Sequence, residues 1–152
     1  MPNSSRAIVD ESPGFARALL ALPNQLPGID LREVWWRVFE FRTFKIAHGN
    51  VPFRRYGEDK PSWHNADGRL IAAYRDDGFH HCHLGVVRAD PILAYTQIAP
   101  HHLVMVCVTT HQAMFKGDRR AFVREYAAHF PNTLRRRPAL RVRPPAPQGE
   151  TE

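Results

Sequence analysis

Apolar positions recur at helical spacing in three stretches of the chain and at alternating spacing between them. In residues 14–22, GFARALLAL, Phe15, Ala18, Leu19 and Leu22 share one helical face, and Pro23 ends the run. A segment bounded by two prolines, PNQLPG, follows. Asp30 is then placed as the N-cap of a longer helix, LREVWWRVFEFRTFKIAH, with Gly49 as its stop. Leu31, Val34, Trp35, Val38 and Phe41 form its apolar stripe, with Arg32, Glu33, Arg37 and Glu40 largely off it. Residues 50–68, rich in Gly, Pro, Asp and Asn, read as a long ordered loop.

The period changes in the second half. In FHHCHLGVV, residues 79–87, Cys82, Leu84 and Val86 alternate with Phe79, His81 and His83, which predicts a strand. After the turn RADP, ILAYTQI alternates again, and beyond Pro100 the near-continuous apolar run HLVMVCVTTH reads as a strand buried on both faces. Short connections favour an antiparallel meander of three or more strands. Residues 119–130 return to helical spacing through Phe122, Val123, Tyr126, Ala127 and Phe130. The expected fold is α+β: N-terminal helices, the meander, and a C-terminal helix packed on the sheet.

Composition narrows the class. The 152 residues carry 21 Lys+Arg and 15 Asp+Glu, a net charge of +6, and 43% are hydrophobic. No apolar run reaches the roughly 18–20 residues that cross a bilayer, and MPNSSRAIVDESPG has no apolar core of a signal peptide. Two cysteines, Cys82 and Cys107, make no disulfide scaffold. The expectation is a cytoplasmic protein with no membrane partner. Charge divides the chain further, because residues 135–152 hold five Arg, two Glu and four Pro, half of the net charge. The expected organisation is an N-terminal helical segment and linker at 1–30, an α+β core at 31–134, and a basic, Pro-rich, disordered tail at 135–152.

Nine histidines are many for this length, and His80-His81-Cys82-His83 is their densest cluster. Strand geometry sets His81 and His83 on one face and His80 and Cys82 on the other. Such a pair can chelate a metal, with His102 or His111 as further ligands. Without C-x-x-C or H-E-x-x-H, however, the expectation is no metal and no cofactor. Metal-free cleavage of RNA needs a base for the 2′-hydroxyl, an acid for the leaving oxygen and cations for the phosphorane charge. His81, His83, His111 and Tyr95 are the candidate acid–base groups. Lys116, Arg119 and Arg120 are candidate phosphate clamps, and Arg135, Arg136 and Arg137 of the tail are candidate RNA contacts. No Gly-rich phosphate loop or G-x-S-x-G elbow is present.

The order of these blocks resembles the YafO-type toxins of bacterial type II toxin–antitoxin systems. FRTFKIAHGNVPFRRYGEDKPSW is similar to that family's first block through Phe41, Phe44, Lys45, Gly49, Pro52, Tyr56, Gly57 and Asp59. His81, His83 and Leu84 match its His-x-His-Leu strand, and LAYTQI with HLVMVCVTTH resembles its next two strands. The resemblance spans residues 31–130 and implies a growth-inhibiting toxin. It would be a ribosome-associated messenger-RNA endonuclease, neutralised by a cognate antitoxin protein. The candidate catalytic residues come from faces and spacing, not from the family.

A competing reading is a SocB-like toxin without enzymatic activity that blocks DNA replication by binding the polymerase sliding clamp. Gln25-Leu26, followed by Ile29, resembles the start of the short extended segment such ligands use, and Gln112-Ala113-Met114-Phe115 has its aromatic end. A nucleic-acid-binding module without toxicity would rest on charge alone.

Overall fold

A strand that is apolar on both faces needs a cover on each side, and this fold supplies both. The computed structural model describes residues 6–65, 67–86, 89–118, 121, 122 and 124. The elements run β1 (Ile8–Glu11), α1 (Phe15–Leu20), α2 (Leu31–His48), β2 (Asp59–Pro61), α3 (Ala72–Asp76), β3 (Phe79–His83), β4 (Ile92–Ala99) and β5 (His102–Thr109). A π-helical turn, Gln112–Lys116, follows β5. Together they make an α+β fold on one five-stranded sheet in the order β1-β5-β4-β3-β2.

The ends of α2 form where expected. The Asp30 carboxylate accepts from the Arg32 and Glu33 amides at 3.0 and 3.3 Å, serving two donors that have no partner inside the helix. Gly49 closes the helix at φ +69°, a conformation that side chains resist. The buried stripe is Val34, Val38, Phe41 and Lys45. Trp35 does not belong to it: its position is a quarter turn round from Val34, and it is 56% exposed. The stripe instead continues through a lysine, because Lys45 has a buried carboxylate to meet.

Two cores flank the sheet. On one face Phe15, Leu19 and Leu22 join Val34, Val38 and Phe41 against Cys82, Leu84, Leu93, Tyr95, Leu103 and Met105. On the other, Tyr74 and Met114 pack against Phe79, Ile92, Ala94, Val104 and Val106. Residues of the 8–29 stretch share this core with residues 31–108.

Two expectations need correction. The sheet is mixed: β2 to β5 are antiparallel to their neighbours, but β1 joins the far edge parallel to β5, with Val9 opposite Leu103. Residues 8–11 escape pattern recognition because only two of the four are apolar and just one, Val9, is buried. The helix order also differs, since α3 lies between β2 and β3, within a stretch read without a helix. Of residues 119–130, Ala121, Phe122 and Arg124 are helical, Asp118 Oδ1 accepts from the Ala121 amide at 3.1 Å, and the Phe122 ring lies 5.9 Å from that of Phe79. The rest of that stretch and the tail at 135–152 lie outside the described residues.

Candidate active site

The alternation of β3 decides which histidines meet. His80 and Cys82 face α2, whereas His81 and His83 face the α3 side. Asp59-Lys60-Pro61 pairs alongside, with Lys60 opposite His81. The approach is close because residue 57 is glycine: a Cβ there would lie 2.9 Å from His83 Cβ, on a backbone at φ +134°. His111 comes from the end of β5, where the chain turns into the π-helical turn. That turn is pinned from below, since Met114 is fully buried and its carbonyl accepts the Tyr74 hydroxyl at 2.6 Å.

His81, His83 and His111 consequently form one cluster. Ring centroids lie 5.7 Å apart for His81–His83, 5.4 Å for His81–His111 and 4.8 Å for His83–His111. Phe115 stacks on His111 at 5.9 Å and meets the His81 ring edge-on at 5.2 Å. His81 is buried at 3% exposure, while His83 and His111 are half-buried at the rim. Each strand histidine has a partner on Nδ1. His81 Nδ1 lies 2.8 Å from Ser62 Oγ, and His83 Nδ1 lies 3.1 Å from Asp90 Oδ2. A carboxylate accepts, so Asp90 favours the His83 tautomer that has its proton on Nδ1 and its lone pair on Nε2. That Nε2 is buried and has no hydrogen-bond partner among the described residues. Glu58 Oε1 hovers 3.9 Å from His81 Nε2 and 3.8 Å from His83 Nε2, held by Lys60 at 3.3 Å.

Electrostatics follow from this packing. Burial, then the charges of His111 and His83, bring His81 down to a pKa of about 4. Burial and then His83 lower His111 as well. Burial alone would raise the Glu58 carboxyl, but Lys60 and the neighbouring histidines outweigh it and hold its pKa below the ordinary carboxylate value. Burial thus works against a proton on His81 and His111, while the carboxylates of Glu58 and Asp90 stand at the rim of the cluster.

Tyr95, counted with the histidines by spacing, is on the opposite face. It pairs with His80 in register and stacks on it at 5.1 Å, and its hydroxyl donates to Asp59 Oδ1 beneath α2. Burial and then the Asp59 charge push that hydroxyl well above its ordinary pKa, so it stays protonated. His102 is also remote from the cluster, paired with Asp10 at 2.6 Å between β5 and β1. Lys116 is exposed on the turn that carries His111 and Phe115. Arg119, Arg120, Arg135, Arg136 and Arg137 lie outside the described residues.

The clamp-ligand candidates are committed elsewhere. Leu26 and Ile29 pack against the core in successive turns, and the Gln25 side-chain oxygen accepts from Thr109 at 3.4 Å. Met114 is fully buried. Spacing did not reveal Glu58, Lys60, Ser62, Asp90 or Phe115 as neighbours of the histidines. Three of these sit in or beside a three-residue strand ending in proline, and Asp90 lies in a turn motif whose acidic residue has an adequate local explanation.

No protein-family model matches the chain, and neither a curated protein nor a solved structure is found to match it.

Proposed function

We propose that the chain is a growth-inhibiting toxin that cleaves messenger RNA at the ribosome by acid–base chemistry, with His83 as base and His111 as acid. The observation that carries this reading is the contact of the two half-buried imidazoles at 4.8 Å, one of them backed by the Asp90 carboxylate. Asp90 stabilises the imidazolium that forms when His83 Nε2 takes the 2′-hydroxyl proton. The 2′-oxygen then attacks phosphorus, the P–O5′ bond breaks, and the leaving oxygen takes its proton from His111. Burial beside His83 makes protonated His111 a stronger acid than ordinary imidazolium, which suits that role. His81 backs the pair from below as a positioning residue through Ser62. Lys60 and Lys116 bring positive charge to the same side of the sheet for the phosphorane.

The ordered resemblance to YafO-type toxins supports the RNA target and a cognate antitoxin as partner. The basic balance of the sequence suits RNA, and no described helix is long and apolar enough to cross a membrane. The SocB-like alternative gains nothing from the fold, since Leu26 and Ile29 are already packed.

The test uses a 5′-labelled RNA with programmed ribosomes. Acid–base cleavage leaves a 2′,3′-cyclic phosphate and a 5′-hydroxyl, and a 2′-deoxy substitution at the cut site abolishes the cut. Cleavage of the 2′-deoxy substrate would overturn the mechanism. In cells, induction stops methionine incorporation before thymidine incorporation, and the reverse order would favour the clamp reading.

A further inference from the structure

We propose that His81, His83 and His111 form a binding site for a zinc ion. The donor set is complete without rearranging the backbone: each histidine offers one nitrogen, and the three nitrogens all lie within 4.8 Å of one another. Tetrahedral zinc with bonds of about 2.0–2.1 Å needs donors about 3.4 Å apart, a closure open to rotation of the imidazole rings, of which those of His83 and His111 are half-buried at the rim.

Three further observations point the same way. Ser62 and Asp90 engage the Nδ1 atoms of His81 and His83, so both Nε2 atoms serve as the ligands, and a carboxylate behind a histidine is the support that zinc sites use. The buried Nε2 of His83 has no hydrogen-bond partner among the described residues, and a metal ion satisfies it. Glu58 Oε1 stands almost equidistant from the two Nε2 atoms and is placed to become the fourth ligand by leaving Lys60. The charges of Glu58 and Asp90 balance a divalent ion beside three neutral imidazoles. A nitrogen-rich set selects zinc and its borderline neighbours over magnesium or calcium, which take oxygen ligands.

A functional consequence rests on the cleavage reading above. Zinc on His83 Nε2 occupies the lone pair that would take the 2′-hydroxyl proton, so the ion inhibits cleavage and a chelator restores it.

The full chain, stripped with EDTA, is titrated with Zn2+ in equilibrium dialysis and with Co2+ as the visible-absorption probe. One ion per chain and the intense band of tetrahedral cobalt are expected. His111→Ala and Asp90→Asn should each weaken zinc binding at least ten-fold with circular dichroism unchanged. His81→Asn provides a second ligand variant should His111→Ala unfold. Absence of stoichiometric binding overturns the site, as does binding indifferent to all three substitutions. Zinc binding by a chain that cuts no RNA leaves the site standing and removes the cleavage reading. RNA cutting by a chain that binds no zinc does the opposite.

Discussion

Two polar clusters lie back to back across β3 and β4, and they are built on opposite terms. Beneath α2, Lys45, Asp59 and Tyr95 are all buried and all answered. Lys45 Nζ meets Asp59 Oδ2 at 2.8 Å and the Val51 carbonyl at 2.9 Å, while Asp59 also accepts from the Phe53 amide and the Tyr95 hydroxyl. On the other face the three histidines crowd together, with one buried nitrogen unanswered among the described residues and with the proton affinity of His81 and His111 depressed. A satisfied network fixes structure, since every member loses by moving. An unsatisfied one keeps binding capacity for something outside the chain. The two are coupled through β2: Asp59 anchors the segment whose neighbours Glu58 and Lys60 border the histidines.

The comparison predicts that function and stability separate by face. His83→Ala and His111→Ala should each lower RNA cleavage about 10²–10⁴-fold, the range general acid–base groups supply. Their urea midpoints should stay close to the parent's. Loss of midpoint in step with activity would place the histidines among the structural groups. Asp59→Asn should do the reverse, costing about 3–5 kcal/mol in urea unfolding because Lys45 is left buried without its counter-ion. Replacing both partners, Lys45→Met with Asp59→Leu, should cost less than either single change. A double variant weaker than both singles would contradict the buried-pair account.

Acid should expose the strain of the histidine face. The unfolded chain protonates His81 near 6.5 and the folded chain near 4, because burial and two neighbouring imidazoles oppose the charge. Between those values the unfolded state binds more protons, so stability falls as pH drops from about 6.5 to about 4. The loss from this group is on the order of 3 kcal/mol. His81→Asn should flatten urea midpoint against pH across that window. A slope equal to the parent's would assign the acid sensitivity to other groups.

How much of this was legible beforehand follows from how local each signal is. The bounds of α2 were readable because Asp30 and Gly49 act on their own backbone. The strands from residue 79 to 109 were readable because alternation is carried by side chains a few residues apart. The face shared by His81 and His83 follows from the same alternation. By contrast β1 is a parallel edge strand whose partner, β5, lies more than ninety residues away. Helical spacing placed Trp35 in the stripe and left Lys45 out, since the reason for burying Lys45 is Asp59, which reaches it across a loop. Asp90 and Glu58 reach His83 only after β2 and the turn after β3 are in place.

Tyr95 gives the smallest effect and the finest test of the division, because its residue type suits catalysis while its position suits structure. Its ring lies 4.9 Å from that of Phe41 and its hydroxyl donates to a carboxylate that already has Lys45 and the Phe53 amide. Tyr95→Phe keeps the ring and removes one of three donors to Asp59. Losing a hydrogen bond to a charged acceptor costs about 1.5–3 kcal/mol, and the remaining donors put the expected loss at the low end of that range. The variant should therefore melt earlier yet cleave RNA within about three-fold of the parent at a temperature where both are folded, since its hydroxyl is on the far side of the sheet. A hundred-fold loss of cleavage with unchanged melting would mean that the hydroxyl acts through Asp59 on Glu58 and Lys60. The two clusters would then be one machine rather than two.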